Sequence, residues 1–501
     1  MPQQAVERLV DRRPWLLALL GLVLAFGFLG SRGIWDPDEG RYTNVALVML
    51  DSGNWLDPMR NEDIGHWTKP PVAYWLIAAS VKAFGQNTWA ARLPIALSFL
   101  ACGWLAWRTA RCLQPGTEST AAVVYLTMLL PAGASQLVTT DFPLAAAQAL
   151  AMHAFVEHRF GAPRASRGWL LAMWAAFALA FMVKGPPALL PLAAIVAFRL
   201  LVPGGPVIGT RWHLGGVVLF LALALPWYLV VSLRHEGLLQ YFLGAEVVDR
   251  LATNRFGRNG HWYGWIVVYL PTLLLGTLPW TRSLWRWARA LPAQARAWRD
   301  RHVRERHAGA ILVALWILLP LLVFCIARSR LPLYLLPVFV PIAIAVATRR
   351  ATDGITLPRP RWLAAWVVAL LALRLAAAAF PTHKDASAWA DAIRARATAP
   401  VREVVFVEDM ARYGLHLHLD AEIEKLSLDA PPQPRFNPEY DEPLSRELEE
   451  SATETGVLYV AKAHAWPAVR DRVAALGYRA TPLGTPFDGR VMFEVERGAR
   501  P

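Results

Sequence analysis

The sequence predicts a polytopic α-helical membrane protein of about eleven spans with a small α/β domain at its C-terminal end. Composition gives the first reason. Of 501 residues, 55% are hydrophobic and 18% charged, with a mean hydropathy of +0.32, whereas an ordinary soluble domain carries roughly 25% charged residues. The second is the recurrence, down residues 1–380, of apolar stretches that can cross a hydrocarbon core, which takes about 17 to 25 residues. The third is a change of charge: residues 1–380 hold 36 Lys and Arg against 18 Asp and Glu, and residues 381–501 hold 15 against 20. The basic excess therefore sits in the membrane part, where loop topology accounts for it better than a nucleic acid partner.

The apolar stretches fall near 14–30, 89–107, 119–139, 142–157, 168–183, 186–202, 213–233, 262–281, 308–327, 331–348 and 361–380. The first lacks a small-x-small cleavage site and is read as a span, not as a cleavable leader. The segment after the eighth carries Arg282, Arg286, Arg289, Arg296, Arg299, Arg301, Arg304 and Arg306 against Asp300 and Glu305, so the positive-inside rule makes it cytoplasmic. Counting from there puts 158–168, 203–212 and 349–361 inside. Residues 31–88, the turn near 140, 234–261, 328–330 and everything after 380 fall outside. Cys102, Cys112 and Cys325 lie in or at the ends of apolar stretches, which excludes a disulfide framework and a cysteine zinc ribbon.

The domains expected are thus 1–380, a membrane domain that includes the outer loop 31–88, and 381–501. Strand-like runs at 404–407, 413–418, 457–460 and 490–495, a helical run at 464–476 and a proline-rich loop at 430–443 make the tail an α/β domain of ordinary size.

The chemistry concentrates on the outer side. Asp36, Asp38 and Glu39 crowd three carboxylates into four positions, which raises a pKa or calls for a cation, a metal or a neighbour such as Arg41. A helix N-cap made by Asp38 explains the same residues. Lys69 stands between aromatics and Pro70-Pro71 in a chain that uses Arg for 45 of its 51 basic residues. It reads as a point charge for a phosphate or as a snorkelling lysine, and Lys184 at the end of a span admits both readings. Asp141, with no basic residue near it in sequence, is a functional acid or a cap ahead of Pro143. The segment 246–263 adds Glu246, Asp249, Arg250, Asn254, Arg255, Arg258 and His261, and Arg330 and Tyr334 border a short outer turn. Span centres hold few ionisable groups, Arg374 being the main exception, whereas a transporter or proton pump is expected to keep charges at the midplane. No Walker loop, dinucleotide fingerprint or H-E-x-x-H occurs.

The runs Trp35 to Tyr42, Gly53-Asn54-Trp55, Lys69 to Trp75, Val183-Lys184-Gly185, Leu278-Pro279-Trp280 and Ala327 to Tyr334 resemble, in order, the aminoarabinose lipid A transferases and the protein O-mannosyltransferases of the GT-C glycosyltransferases. The resemblance implies a GT-C fold in a bacterial inner membrane, with the outer face and the tail in the periplasm. It implies an inverting transferase that moves a hexose or pentose from a polyprenyl phosphate donor to a lipid, glycan or protein acceptor. By motif, Asp38 is the catalytic carboxylate, with Glu39 beside it and Asp141 a second acid. Lys69, Arg41, Tyr42, Tyr74, Lys184, Arg330, Tyr334 and Arg258 meet the donor and its phosphate. Where the aminoarabinose branch has a zinc-ligating Glu before the Lys, this chain has Thr68. No cofactor is assigned, and a divalent metal stays open with Asp36 and His261 as its ligands. The rival reading is a polyprenyl-linked lipid or oligosaccharide carrier without transferase chemistry.

Overall fold

The computed structural model describes residues 14–161, 167–204, 210–249, 258–451 and 455–497. Its contacts divide the chain into two compact units: Met1–Phe28 with Pro94–Leu375, and Leu29–Leu93 with Ala376–Pro501.

The first unit is helical. Every one of the eleven apolar stretches holds a helix. Among the described residues, six helices are long and apolar enough to cross a membrane: Thr88–Leu113, Arg167–Lys184, Trp212–Arg234, Ala308–Ile326, Pro332–Thr352 and Pro360–Ala379. A seventh results if Gly264–Gly276 and Thr281–Ala297, bent by 118° at their junction, count as one span. The chain is thus a multi-pass membrane protein. Fewer helices qualify than the eleven stretches: Pro14–Phe26 has only 13 residues, Pro186–Leu201 is also short, Asp141–Phe160 is not among the qualifying helices, and 119–139 is broken. Met128 is extended between Glu118–Thr127 and Leu129–Ala134. Backbone freed by a break in an apolar environment needs new partners. Trp280 Nε1 donates to Thr127 Oγ1 at 3.0 Å, Trp366 Nε1 to the Thr127 carbonyl at 2.8 Å, and the Leu129 N–H to the Leu278 carbonyl at 3.0 Å. Arg374, the charge out of place in its span, has the same use. Its guanidinium donates to the carbonyls of Gly27 at 3.2 Å and Ala132 at 2.5 Å and to Ser135 Oγ at 2.7 Å.

The second unit is built on a six-stranded sheet. Its strands are β1 Glu403–Val407, β2 Glu422–Ser427, β3 Glu442–Pro443, β4 Val457–Lys462, β5 Tyr478–Pro482 and β6 Arg490–Arg497, in the order β3-β2-β1-β4-β6-β5. The first four are parallel, while β6 runs antiparallel to β4 and β5. Alternate side chains of a strand face opposite sides, and here each side has its own core. Val404, Phe406, Leu458, Val460 and Met492 pack with Trp389 and Ile393 of the helix Ala386–Arg394. Val405, Val407, Tyr459, Ala461 and Phe493 pack with Leu444 and Leu448 of Leu444–Ser451 and with Val469 and Val473 of Trp466–Ala475. The α/β tail is therefore present, with one correction: the strand expected at 413–418 is the short helix Leu415–Leu419.

The contacts also group the outer loop with the tail, where the sequence reading counted it with the membrane domain. The Asp36 N–H donates to the Lys384 carbonyl and the Ala386 N–H to the Ile34 carbonyl, both at 2.9 Å. Asn44 Oδ1 lies 2.8 Å from His416 Nδ1, Arg60 pairs with Asp441, and Asn61 Nδ2 donates to Glu424 at 3.2 Å. A loop rich in polar groups satisfies them by folding onto a polar domain.

Candidate active site

Two clusters hold the residues singled out by sequence, one in each unit. In the second unit, the helix Asp38–Ser52 sorts the three carboxylates. Glu39 is buried: Arg32 Nη1 reaches Oε2 at 2.5 Å and Arg92 Nη2 reaches it at 3.3 Å, and the Trp35 N–H donates to it at 2.9 Å. Arg92, with no exposed side-chain surface, also donates to the carbonyls of Arg32 and Gly33 at 2.8 and 2.7 Å. These donors enclose Glu39 and anchor the helix start, and they leave its carboxylate buried. Asp36 is buried too and accepts the Gly414 N–H at 3.1 Å. Burial pushes its carboxyl up to about 8, against the pull of the Gly414 N–H and Arg412. The approach is so close that a Cβ on Gly40 would stand 1.8 Å from Asp36 Oδ1 and 2.5 Å from the Gly414 nitrogen.

Asp38 is what remains. Its side chain is 61% exposed, with Arg41 Nη2 at 3.2 Å. The N-cap position is Pro37 and no side chain caps the helix, so the capping explanation of Asp38 does not hold. Beside this helix start, Arg41, Arg60 and Lys69 act on a buried His66, whose pKa burial and then these three cations hold well below the usual histidine range. A neutral His66 lies 2.7 Å from Thr68 Oγ1, Lys69 Nζ donates to the Thr68 carbonyl at 2.5 Å, and Tyr74 stands at 6.3 Å from the His66 ring and 6.0 Å from Tyr42. The structure thus brings Arg41, Tyr42, Lys69 and Tyr74 together. Sequence reasoning missed His66, although it stands three residues before Lys69.

In the first unit, Asp141 opens the helix Asp141–Phe160 without capping it. It pairs instead with Lys184, at the end of Arg167–Lys184. Lys184 Nζ also lies 4.7 Å from the centre of the Tyr334 ring, and Arg258 Nη1 donates to Tyr334 Oη at 3.1 Å. Arg330 has a different part from the one expected. It is buried and its guanidinium donates to the carbonyls of Asn259, His261 and Cys325 at 2.7, 2.8 and 3.0 Å. Its two terminal nitrogens brace the 258–261 turn against the end of the helix Ala308–Ile326. An apolar groove of about 590 Å³ in this unit is lined by Leu130, Leu137, Pro271, Asn259 and Leu333 among others, the last two being sequence neighbours of Arg258 and Tyr334. Arg250, Asn254 and Arg255 lie outside the described residues.

Neither of the two residues considered for a metal stands in a cluster of three potential ligands among the described residues, and the Asp36 carboxyl accepts the Gly414 N–H. His261 is exposed and stacked on Tyr263 at 5.4 Å. Among the described residues, the His, Cys, Asp and Glu side chains close enough together to hold an ion are Glu403 of β1, Glu424 of β2 and Glu447 of the helix Leu444–Ser451. Burial and the neighbouring acids push Glu424 up to about 10, which favours a proton there.

Comparison with known proteins gives the class first. Residues 68–229 match the family described as dolichyl-phosphate-mannose-protein mannosyltransferase. Among curated proteins, the chain is 31% identical over 368 residues to an undecaprenyl phosphate-alpha-4-amino-4-deoxy-L-arabinose arabinosyl transferase of Enterobacter sp. (strain 638), covering 70% of this chain and 62% of the relative. It is 34% identical over 345 residues to transferase 2 of the same description from Sodalis glossinidius (strain morsitans), covering 65% and 57%. The chain thus spans about six tenths of the length of these relatives. Its fold is that of ArnT from Cupriavidus metallidurans, solved with undecaprenyl phosphate, with a TM-score of 0.73 at 20% identity over 95% of this chain and 97% of that one. The resemblance read from the motifs, to aminoarabinose transferases and O-mannosyltransferases, is borne out on both sides.

Proposed function

We propose that the protein is an inverting glycosyltransferase, which moves a sugar from a polyprenyl phosphate donor to a lipid, glycan or protein acceptor at the periplasmic face of a bacterial inner membrane. The observation that carries this reading is the sorting of the three carboxylates, which leaves Asp38 accessible on a rigidly anchored helix start beside Arg41. The sequence likeness to undecaprenyl phosphate-dependent arabinosyl transferases supports the donor class.

In this mechanism Asp38 takes the proton of the acceptor hydroxyl as its oxygen bonds to the anomeric carbon, and the bond from that carbon to the phosphate oxygen breaks on the opposite face. The electron pair leaves with the polyprenyl phosphate. Arg41, Lys69 and the tyrosines Tyr42 and Tyr74 are assigned to the donor phosphate, where cations offset the growing charge. Lys184, Arg258 and Tyr334 are assigned to the donor as well, with the neighbouring apolar groove suited to polyprenyl carbons. Asp141 holds Lys184 in place. A phosphate ester is a weakly basic leaving group, so the step needs no general acid. The eleven-span topology, the tail in the periplasm and the domain division at 380 belong to the same proposal.

The test is release of undecaprenyl phosphate by the purified protein from an undecaprenyl phosphate-linked sugar, with membrane extract as acceptor source. Time-dependent release with inversion of the transferred sugar is expected. Binding of the donor without release would replace the transferase by a carrier. An alkaline phosphatase fusion after Phe380 is expected to be active and one at Arg296 inactive; the reverse would overturn the sidedness.

A further inference from the structure

Outside the two clusters, the arginine-rich end of the first unit has a feature that the transferase reading does not use. The helix Thr281–Ala297 presents three faces. Ser283 and Trp287 are buried. Trp285, Ala288, Pro292 and Ala295, spaced by three and four residues, are exposed and form an apolar stripe, since residues at that spacing share a face. Arg282, Arg286, Arg289 and Arg296 form a third stripe by the same spacing. The helix turns away from the preceding apolar helix by 118°. An amphipathic basic helix with aromatic residues on its apolar side, set across the direction of a span, has the make-up of one lying in a membrane interface.

Next to its first residue lies an apolar groove of about 360 Å³, lined by Trp280, Pro358, Trp362, Leu363 and Trp366 among others. Arginines adjoin its lining residues in sequence: Arg359 follows Pro358 and Arg361 precedes Trp362, which is 63% exposed with the Arg361 guanidinium 5.6 Å from its ring; Arg289 stands likewise at 6.0 Å from Trp285. The nearby acid, Asp353, is already taken by Arg349 at 2.6 Å and Arg286 at 3.6 Å. Arg282, Arg289, Arg296, Arg359 and Arg361 make no ion pair among the described residues.

We propose that this end of the first unit is a binding site for an anionic phospholipid, its acyl chain along the tryptophan-lined groove and its headgroup phosphate among Arg282, Arg289, Arg359 and Arg361. Charge selects the occupant. A zwitterionic lipid fills the groove equally well but brings its own cation to five arginines that lack a counter-ion. An anionic headgroup gains from each arginine near it, by roughly fivefold per charge.

Native mass spectrometry of the full chain, released from micelles holding equal amounts of phosphatidylglycerol and phosphatidylethanolamine, tests this. The wild type is expected to retain phosphatidylglycerol over phosphatidylethanolamine by about tenfold or more. The triple variant Arg282→Gln, Arg289→Gln, Arg361→Gln should cut that ratio severalfold, to no more than the roughly fivefold that Arg359 alone supplies, and Lys at the same three positions should keep most of it. Trp362→Ala should lower the number of lipids retained without removing the preference. Equal retention of the two lipids by the wild type, or a preference untouched in the Gln triple variant, would overturn the site.

Discussion

The acidic turn at 36–39 and the Asp141–Lys184 pair make opposite use of charge. In the turn, charge is dense in the sequence, yet Glu39 is enclosed by Arg32, Arg92 and the Trp35 N–H and Asp36 by Gly414 and burial, so Asp38 alone stays open. Asp141 is solitary in sequence, and 43 residues separate it from the lysine that pairs with it. Dense charge in a sequence therefore marks a framework as much as a site. What distinguishes a reactive group is having few protein partners once the fold has satisfied the rest.

The sharpest way to break this comparison is Glu39→Ala. It leaves two buried guanidiniums without their carboxylate, and removing one partner of a buried pair costs about 3–5 kcal/mol. A large fall in thermal midpoint and in folded yield is expected; normal stability with lost turnover would put Glu39 in the catalytic set. Lys184→Met should come next. It strands Asp141, whose side chain is 8% exposed, at a cost of about 3 kcal/mol, and lowers turnover as Asp141 and Tyr334 lose their common cation. A thermal melt unchanged in this variant would mean that the pair carries no structural load.

Asp36 sharpens the comparison through pH. Its folded pKa, about 8, stands above the ordinary 3.8, so the folded protein binds more protons than the unfolded chain throughout that window. Its contribution is full at low pH, falls as pH rises through the window and levels off above 8. Between pH 6 and 8 the loss amounts to at most about 2.7 kcal/mol. Asp36→Asn should flatten the pH dependence of the thermal midpoint across that range; an equal slope in both proteins would contradict the buried, proton-holding Asp36. Lys69→Met should have the smallest effect, roughly tenfold weaker donor binding with the fold intact, as loss of one charged hydrogen bond implies. Unchanged donor affinity would leave Lys69 a snorkelling residue.

Much of the architecture was legible because it rests on local pattern. Each apolar stretch holds a helix, and the runs at 404–407 and 457–460 are strands because β-branched and aromatic side chains fill both faces of one sheet. The run Leu415-His416-Leu417-His418 alternates like a strand, yet it is helical. His416 is held by Asn44 at 2.8 Å and Asp51 at 3.2 Å, partners some 370 residues away that no local pattern contains. The same reason hid the attachment of loop 31–88 to the tail. At the sites, residue types in short motifs pointed to Asp38, Lys69, Tyr42 and Tyr74. The fates of Glu39 and Arg330 depended on distant donors and carbonyls, and the sequence could not separate a braced charge from an open one.

The central claim is that Asp38 is the base and its acidic neighbours hold it in place. Turnover of an undecaprenyl phosphate-linked sugar by Asp38→Asn, normalised to folded protein, tests it most directly. A loss on the order of 10²-fold or more, the scale of a missing general base, is expected with the thermal midpoint unchanged. Turnover near wild type in folded Asp38→Asn would contradict the account.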